Sequence, residues 1–226
     1  MSEIGYGYGS EWHLLRYLGY HRQELNRAIE RVTGGQVLDW LDFRFNRNKK
    51  FLDVEWQGLD FLSDAQSVKA AWRSFWPQSG NVQNWDAVRW LRIGEHRELL
   101  LVEAKAHINE LRSSCTASER GGLPTIKSAL DAAKDSFGAD TNRNWLIPYY
   151  QYCNRLAVLH FLMKHKVPAR LIFVYFSGDA NPNASCPQTE AEWEGPLREM
   201  DDHIGLTGES LLEGRVHKVF LPVCQD

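Results

Sequence analysis

The segment Asn84–His107, NWDAVRWLRIGEHRELLLVEAKAH, contains two largely apolar runs on either side of the polar residues 94–97. Two strand-like runs joined by so short a connection predict an antiparallel hairpin with strands over 84–93 and 98–106. Glu103 and Lys105 interrupt the second run. Acidic and basic side chains are rarely buried unless they are paired, so these two residues point to a specific role.

Side chains alternate between the two faces of a strand, so Glu103 and Lys105 are expected on the same face. If Ile93 pairs with Glu98 across the turn, the same register places Asp86 opposite Lys105, with Glu103 one diagonal step away. Diagonal neighbours lie roughly 7 to 8 Å apart, within reach of two carboxylates that share one cation. The segment therefore predicts a small cluster of ionisable groups.

Two interpretations of the cluster follow from spacing alone. In the first, Glu103 and Lys105 form a structural ion pair on the sheet face. In the second, Asp86 and Glu103 hold a divalent cation, which would offset the cost of burying two carboxylates. A second acidic pair, Asp53 and Glu55, has the same spacing but no accompanying lysine, and it ranks below the first.

The order of an acid, a turn and Glu-x-Lys in this segment resembles the core hairpin of the PD-(D/E)XK nuclease superfamily, which has the restriction-endonuclease-like fold. The resemblance implies that Asp86 and Glu103 bind Mg²⁺ or Mn²⁺. It also implies that Lys105 orients or activates the attacking water and offsets charge on the phosphate. The chain departs from the literal motif because Trp85, not proline, precedes the aspartate.

The same resemblance implies contributions from two helices. An acid of the first helix often joins the metal site, and Glu24 occupies a suitable place, although a solvated helix face explains it as well. A later helix often supplies polar residues. Here Gln151 is the expected catalytic residue, and Asn154 and Arg155 are the expected substrate-binding residues. Ordinary amphipathicity is the alternative for all three.

The rest of the chain alternates helical and strand-like patterns. Apolar residues at helical spacing predict one helix from Ser10 to Gly34, and ARLIFVYFSGD at 169–179 predicts a strand buried on both faces. Further helices are predicted before Pro77, after Pro124, after Pro148 and over 196–204, and a last strand over 215–223. We expect an α/β fold, with a mixed central sheet flanked by helices, in a single restriction-endonuclease-like domain over 1–226.

Composition limits the function classes. The net charge of −3 and pI near 6.2 give no overall attraction to nucleic acid or to anionic membranes. The apolar runs are too short to span a bilayer, and the N-terminal residues lack a signal-peptide pattern, which favours the cytoplasm. The four cysteines form no CxxC pair, and zinc, P-loop and Ser-hydrolase motifs are lacking.

The sequence thus favours a cytoplasmic, bacterial, Mg²⁺- or Mn²⁺-dependent nuclease that hydrolyses phosphodiester bonds. The expected partners are nucleic acid, with DNA ahead of RNA, and a second copy of the chain in a homodimer, but no membrane. The alternative is a noncatalytic binding or assembly module that retains a nuclease-like fold.

Overall fold

The computed structural model describes residues 7–41, 56–63, 65–80, 82–206, 212 and 214–224. Asp53 and Glu55, the second acidic pair, lie outside the described residues. The helices are α1 Ser10–Gly19, α2 Arg22–Thr33, α3 Gln66–Phe75, α4 Leu123–Phe137, α5 Tyr150–Lys164 and α6 Ala191–Ile204. The strands are β1 Gln36–Trp40, β2 Trp56–Gln57, β3 Asn84–Trp85, β4 Ala87–Ile93, β5 His96–Lys105, β6 Ala169–Ser177 and β7 Val216–Pro222.

The central sheet has the strand order β1-β4-β5-β6-β7. Strands β1, β4 and β5 are antiparallel, whereas β5, β6 and β7 are parallel to one another. Strands β2 and β3 form a separate antiparallel pair. The predicted mixed sheet flanked by helices is therefore confirmed.

Helices cover both faces of the sheet and create two hydrophobic cores. On one face, α1 and α2 pack against the side chains of Val102 and Ala104. On the other, α3 to α6 pack against Leu99, Leu101 and Phe173. A strand between two cores needs apolar residues on both faces, which explains the continuous apolar runs of β5 and β6. Glu103 and Lys105 replace apolar residues on the second of these faces.

The N-terminal helix differs from its prediction. The chain forms two helices, because the first ends at Gly19 and the second begins at Arg22. The Arg22 guanidinium donates to the carbonyl of Leu18 at 2.9 Å, which satisfies one of the groups left open at this break. Ser10 is not the N-cap, which is Gly9. Helix α6 also begins before its predicted start and contains Pro196 in its interior.

The hairpin is confirmed, but its predicted register is wrong by two residues. Only Gly94 and Glu95 form the turn, and Ile93 pairs with His96. Gly94 has a φ of 56°, a conformation that glycine adopts without strain and that permits the tighter turn. Continuing the register by one residue beyond β4 brings Asp86 opposite Glu103 rather than Lys105. A shift of two residues preserves the faces, so the cluster still forms.

Among the described residues, no helix combines the length and apolar character that crossing a bilayer requires.

Candidate active site

Strand β5 ends in a group of charged residues that helix α5 covers. Glu103 and Lys105 are only 3% and 8% exposed. Gln151 lies in the first turn of α5, and Arg155 follows one turn later on the same face. The helix therefore presents both side chains to the end of the strand, where each contacts a charged residue of β5.

Glu103 lies between two cations. Its Oε1 accepts a hydrogen bond from Lys105 Nζ at 2.6 Å, and its Oε2 accepts one from Arg155 Nε at 2.8 Å. Burial alone would raise the pKa of Glu103, but the charges of Arg155 and Lys105 outweigh burial and lower it. Glu103 is therefore an ionised carboxylate at neutral pH.

Lys105 is held by two acceptors on different elements. Besides Glu103, it donates to Gln151 Oε1 at 3.0 Å. Burial alone would lower the pKa of Lys105, but the carboxylate of Glu103, assisted by Asp86, raises it. Lys105 is therefore an ammonium at neutral pH, which can donate hydrogen bonds but cannot accept a proton. An ammonium has three N–H groups, and the two contacts with described residues leave one for a ligand.

Asp86 stands just before β4 and is joined to the backbone of β5. Its Oδ2 accepts a hydrogen bond from the Ala104 N–H at 2.7 Å. The residue surface is partly exposed, but the carboxyl group is enclosed. Burial of that group, together with the charge of Glu103, raises the pKa of Asp86 to about 8. Without another positive charge, Asp86 is therefore largely protonated at neutral pH.

Arg155 connects the cluster to the region before β4. Its guanidinium donates to Glu103, to Asn154 Oδ1 at 2.8 Å and to the carbonyl of Asn84. It also lies over the ring of Trp85, with 4.8 Å from its central carbon to the ring centroid. Arg155 is 3% exposed, so most of its hydrogen-bonding capacity is used inside the protein. This geometry gives Arg155 a positioning role, and Asn154 supports it.

The structure does not bring Glu24 to this cluster. Glu24 lies on α2, whose buried residues Leu25 and Ile29 pack on the opposite face of the sheet. Its side chain is 60% exposed and lies 3.6 Å from Nδ1 of His21. Its placement therefore agrees with the solvated helix face that was the alternative for this residue.

Sequence reasoning missed Glu110, which lies just beyond the end of β5. Its Oε2 accepts hydrogen bonds from the backbone N–H groups of Ala106, at 2.6 Å, and His107, while its Oε1 accepts from the Ser10 hydroxyl at 2.9 Å. Its charge also contributes to the raised pKa of Lys105. An acid five positions after Lys105, where the strand pattern ends, was the available signal. Trp85 was interpreted only as a departure from the motif, whereas its ring supports Arg155.

A cavity of about 660 Å³ adjoins the cluster. Asp86, Gln151, Asn154 and Arg155 form part of its wall. Glu103 and Lys105 instead line a neighbouring space of about 10 Å³, and Gln151 borders both. Gln151 thus stands between the open cavity and the ammonium of Lys105.

The oxygen donors of Asp86 and Glu103 fit a hard divalent cation such as Mg²⁺ or Mn²⁺. Each carboxylate oxygen has two lone pairs, so the cation contacts of Glu103 leave one on each oxygen. The raised pKa of Asp86 also indicates excess negative charge nearby, which a bound cation would relieve. Among the described residues, no group of three or more His, Cys, Asp and Glu side chains converges as a ready metal site, so water or substrate oxygens would have to complete the coordination.

Comparisons of the chain with protein-family models, curated proteins and solved structures found no match.

Proposed function

We propose that this protein is a metal-dependent nuclease of the PD-(D/E)XK type that hydrolyses phosphodiester bonds. The observation that carries the proposal is the convergence of Asp86, Glu103 and Lys105 at the end of β5, beside a cavity of about 660 Å³. The hairpin that leads into β5, the helix α5 that covers it and the parallel strand β6 support a restriction-endonuclease-like arrangement. DNA ahead of RNA as substrate, a homodimer and a cytoplasmic location remain part of the proposal.

Asp86 and Glu103 are the residues that would hold the metal ion. Such an ion, when bound, acidifies a coordinated water and stabilises negative charge on a phosphoryl group. Attack of a water oxygen on phosphorus forms one P–O bond and breaks the bond to the leaving oxygen. The residues of this chain need supply no covalent intermediate.

Lys105 acts in this proposal as a fixed positive donor. Because it stays protonated, it cannot remove the proton from water, but its remaining N–H can hold the attacking water or a phosphoryl oxygen. Glu103 and Gln151 fix the position of the ammonium at 2.6 and 3.0 Å. A preorganised donor of this kind stabilises charge as it develops, without reorganisation during the reaction.

The other polar residues are assigned to positioning. Arg155 holds Oε2 of Glu103 and the chain before Asp86, so it links the two proposed metal ligands. Gln151 borders both the cavity and the space beside Lys105, so its carboxamide controls access to the ammonium.

The test is cleavage of end-labelled DNA and RNA, single- and double-stranded, with Mg²⁺, Mn²⁺ or EDTA. Glu103→Gln and Asp86→Asn should abolish metal-dependent cleavage. Glutamine is chosen because alanine would leave the cations of Lys105 and Arg155 unpaired and buried, which would destabilise the fold. The exposed Asp60→Asn is the matched control, and circular dichroism checks folding. Full activity in folded Glu103→Gln would exclude Glu103 from the mechanism.

A second candidate is a noncatalytic binding or assembly module. The specific observation in its favour is that Lys105 and Arg155 already compensate the charge of Glu103 inside the protein. In that case the cluster is a structural ion-pair network, and the folded protein should neither cleave nucleic acid nor respond to Mn²⁺.

A further inference from the structure

The large cavity has walls that are mostly uncharged. Among its described lining residues, Asp86 and Arg155 are the only acid and base, whereas Ser79, Ser114 and Thr116 contribute hydroxyl groups. A groove that follows a phosphate backbone is instead lined with lysine and arginine. The volume of about 660 Å³ lies within the roughly 300–1,000 Å³ that is usual for small-molecule pockets. Its chemistry therefore suits a neutral ligand with a polar edge.

Gln83 has hydrogen-bonding groups that the protein leaves unused. The residue lines the cavity and is only 4% exposed. Among the described residues, nothing bonds to its Nε2 or its Oε1. A buried carboxamide with both donor and acceptor unsatisfied is destabilising, so native proteins seldom retain one without a reason. A ligand that offers an adjacent acceptor and donor would satisfy both groups together.

Nucleobases carry such paired groups on their edges. A glutamine carboxamide pairs with N6 and N7 of adenine through two hydrogen bonds. The flat ring also needs apolar surface, and Trp76, Pro77 and Ile126 belong to the same cavity wall. Gly122 keeps this wall compact, since a Cβ there would lie 2.7 Å from Cγ of Pro77.

We propose that the cavity receives one unstacked nucleobase of the substrate and that Gln83 hydrogen-bonds to its edge, with adenine as the preferred base. Asp86 lines the same cavity, so a base held by Gln83 brings its own phosphodiester group towards Asp86 and Lys105. A base can enter only from a single strand or after leaving its duplex. The inference rests on the proposed nuclease function and narrows its substrate to single-stranded or locally opened nucleic acid.

The test compares cleavage of two single-stranded oligonucleotides that differ only in one adenine, present or replaced by an abasic site. Gln83→Met keeps the side-chain volume and removes the carboxamide. Wild-type protein should prefer the adenine substrate in kcat/KM, and Gln83→Met should reduce that preference by about 5- to 150-fold, the range expected for a bidentate base contact. Gln57→Met, on the exposed strand beside β3, is the control and should keep the preference.

Thermal unfolding distinguishes recognition from a structural role. If Gln83 serves a ligand, Gln83→Met should keep or raise the Tm, because it removes unsatisfied groups from a buried position. A fall in Tm by several degrees would indicate a structural role and would overturn the inference. So would an unchanged adenine preference in an active, folded variant, which would leave the nuclease proposal standing. Loss of the nuclease proposal itself would instead appear as full cleavage by Asp86→Asn and Glu103→Gln.

Discussion

The carboxylate of Asp86 accepts a hydrogen bond from the backbone N–H of Ala104 at 2.7 Å. This bond joins the acid before β4 to the residue between Glu103 and Lys105. The position of Asp86 is therefore set by the backbone of β5 and depends little on the conformations of its charged neighbours. It keeps two carboxyl groups close together in an enclosed place, which explains why the pKa of Asp86 is raised to about 8.

The raised pKa of Asp86 predicts the pH dependence of stability in EDTA. The native state keeps a proton on Asp86 up to about pH 8, whereas the unfolded chain loses it near the model value of 3.8. The native state therefore binds more protons across this window, and this stabilising contribution is lost as the pH rises. The free energy of unfolding should fall by at most about 1.4 kcal/mol per pH unit from this group.

Urea unfolding of wild-type protein and Asp86→Asn, from pH 4 to pH 9 in EDTA, measures this contribution. The variant should lack this part of the slope, so the difference between the two curves should change through the window and level off above about pH 8. Asp60→Asn, at an exposed position, should follow the wild type. Parallel curves for wild type and Asp86→Asn would contradict the raised pKa.

Mn²⁺ should stabilise the native protein if Asp86 and Glu103 bind it. Ligand binding to the native state alone adds about 2.7 kcal/mol at 100 times the dissociation constant, so the Tm should rise with metal concentration. Asp86→Asn and Glu103→Gln should each remove most of the rise, whereas Glu24→Gln should leave it intact, because Glu24 lies on the opposite face of the sheet. No shift at millimolar Mn²⁺ would favour the noncatalytic module.

Arg155→Lys should destabilise the protein although it conserves charge. A lysine cannot reproduce the planar fork that joins Glu103, Asn154 and the carbonyl of Asn84. Disruption of a buried pair typically costs about 3–5 kcal/mol, and we expect a loss near the lower limit because a positive charge remains. Guanidinium unfolding provides the measurement.

The matched control for Arg155 is Arg112→Lys. Arg112 forms an ion pair with Glu199 at 2.7 Å, but both side chains are more than half exposed. Exposed pairs contribute about 0–1 kcal/mol, so this variant should change stability little. Equal effects of the two substitutions would show that the Arg155 contacts contribute no more than a surface ion pair.

Lys105→Gln should lower kcat more than it changes KM. The proposed ammonium acts on charge that develops during reaction, and removal of one such donor typically costs about 10²- to 10³-fold in kcat. Steady-state kinetics with a labelled oligonucleotide measures both constants. Lys127→Gln, at an exposed lysine paired with Glu119, is the control. A change confined to KM would assign Lys105 to substrate binding alone.

Local pattern was sufficient to predict the β4–β5 hairpin and the buried strand β6, because alternation and apolar runs depend only on neighbouring residues. The break between α1 and α2 was less visible, since helical spacing continues through Gly19 and Tyr20. The register of the hairpin was also missed. It depends on whether two or four residues form the turn, and the polar sequence GEHR permits both.

The sequence by itself determined that Glu103 and Lys105 share one face of a buried strand, because residues two apart in a strand always do. It also placed an acid at the start of the neighbouring strand. Only the tertiary structure decided which distant groups meet them. The packing of α5 brings Arg155 to Glu103 and Gln151 to Lys105, while the packing of α2 keeps Glu24 away. Such contacts depend on how helices settle on a sheet, and residue spacing along the chain carries no record of that.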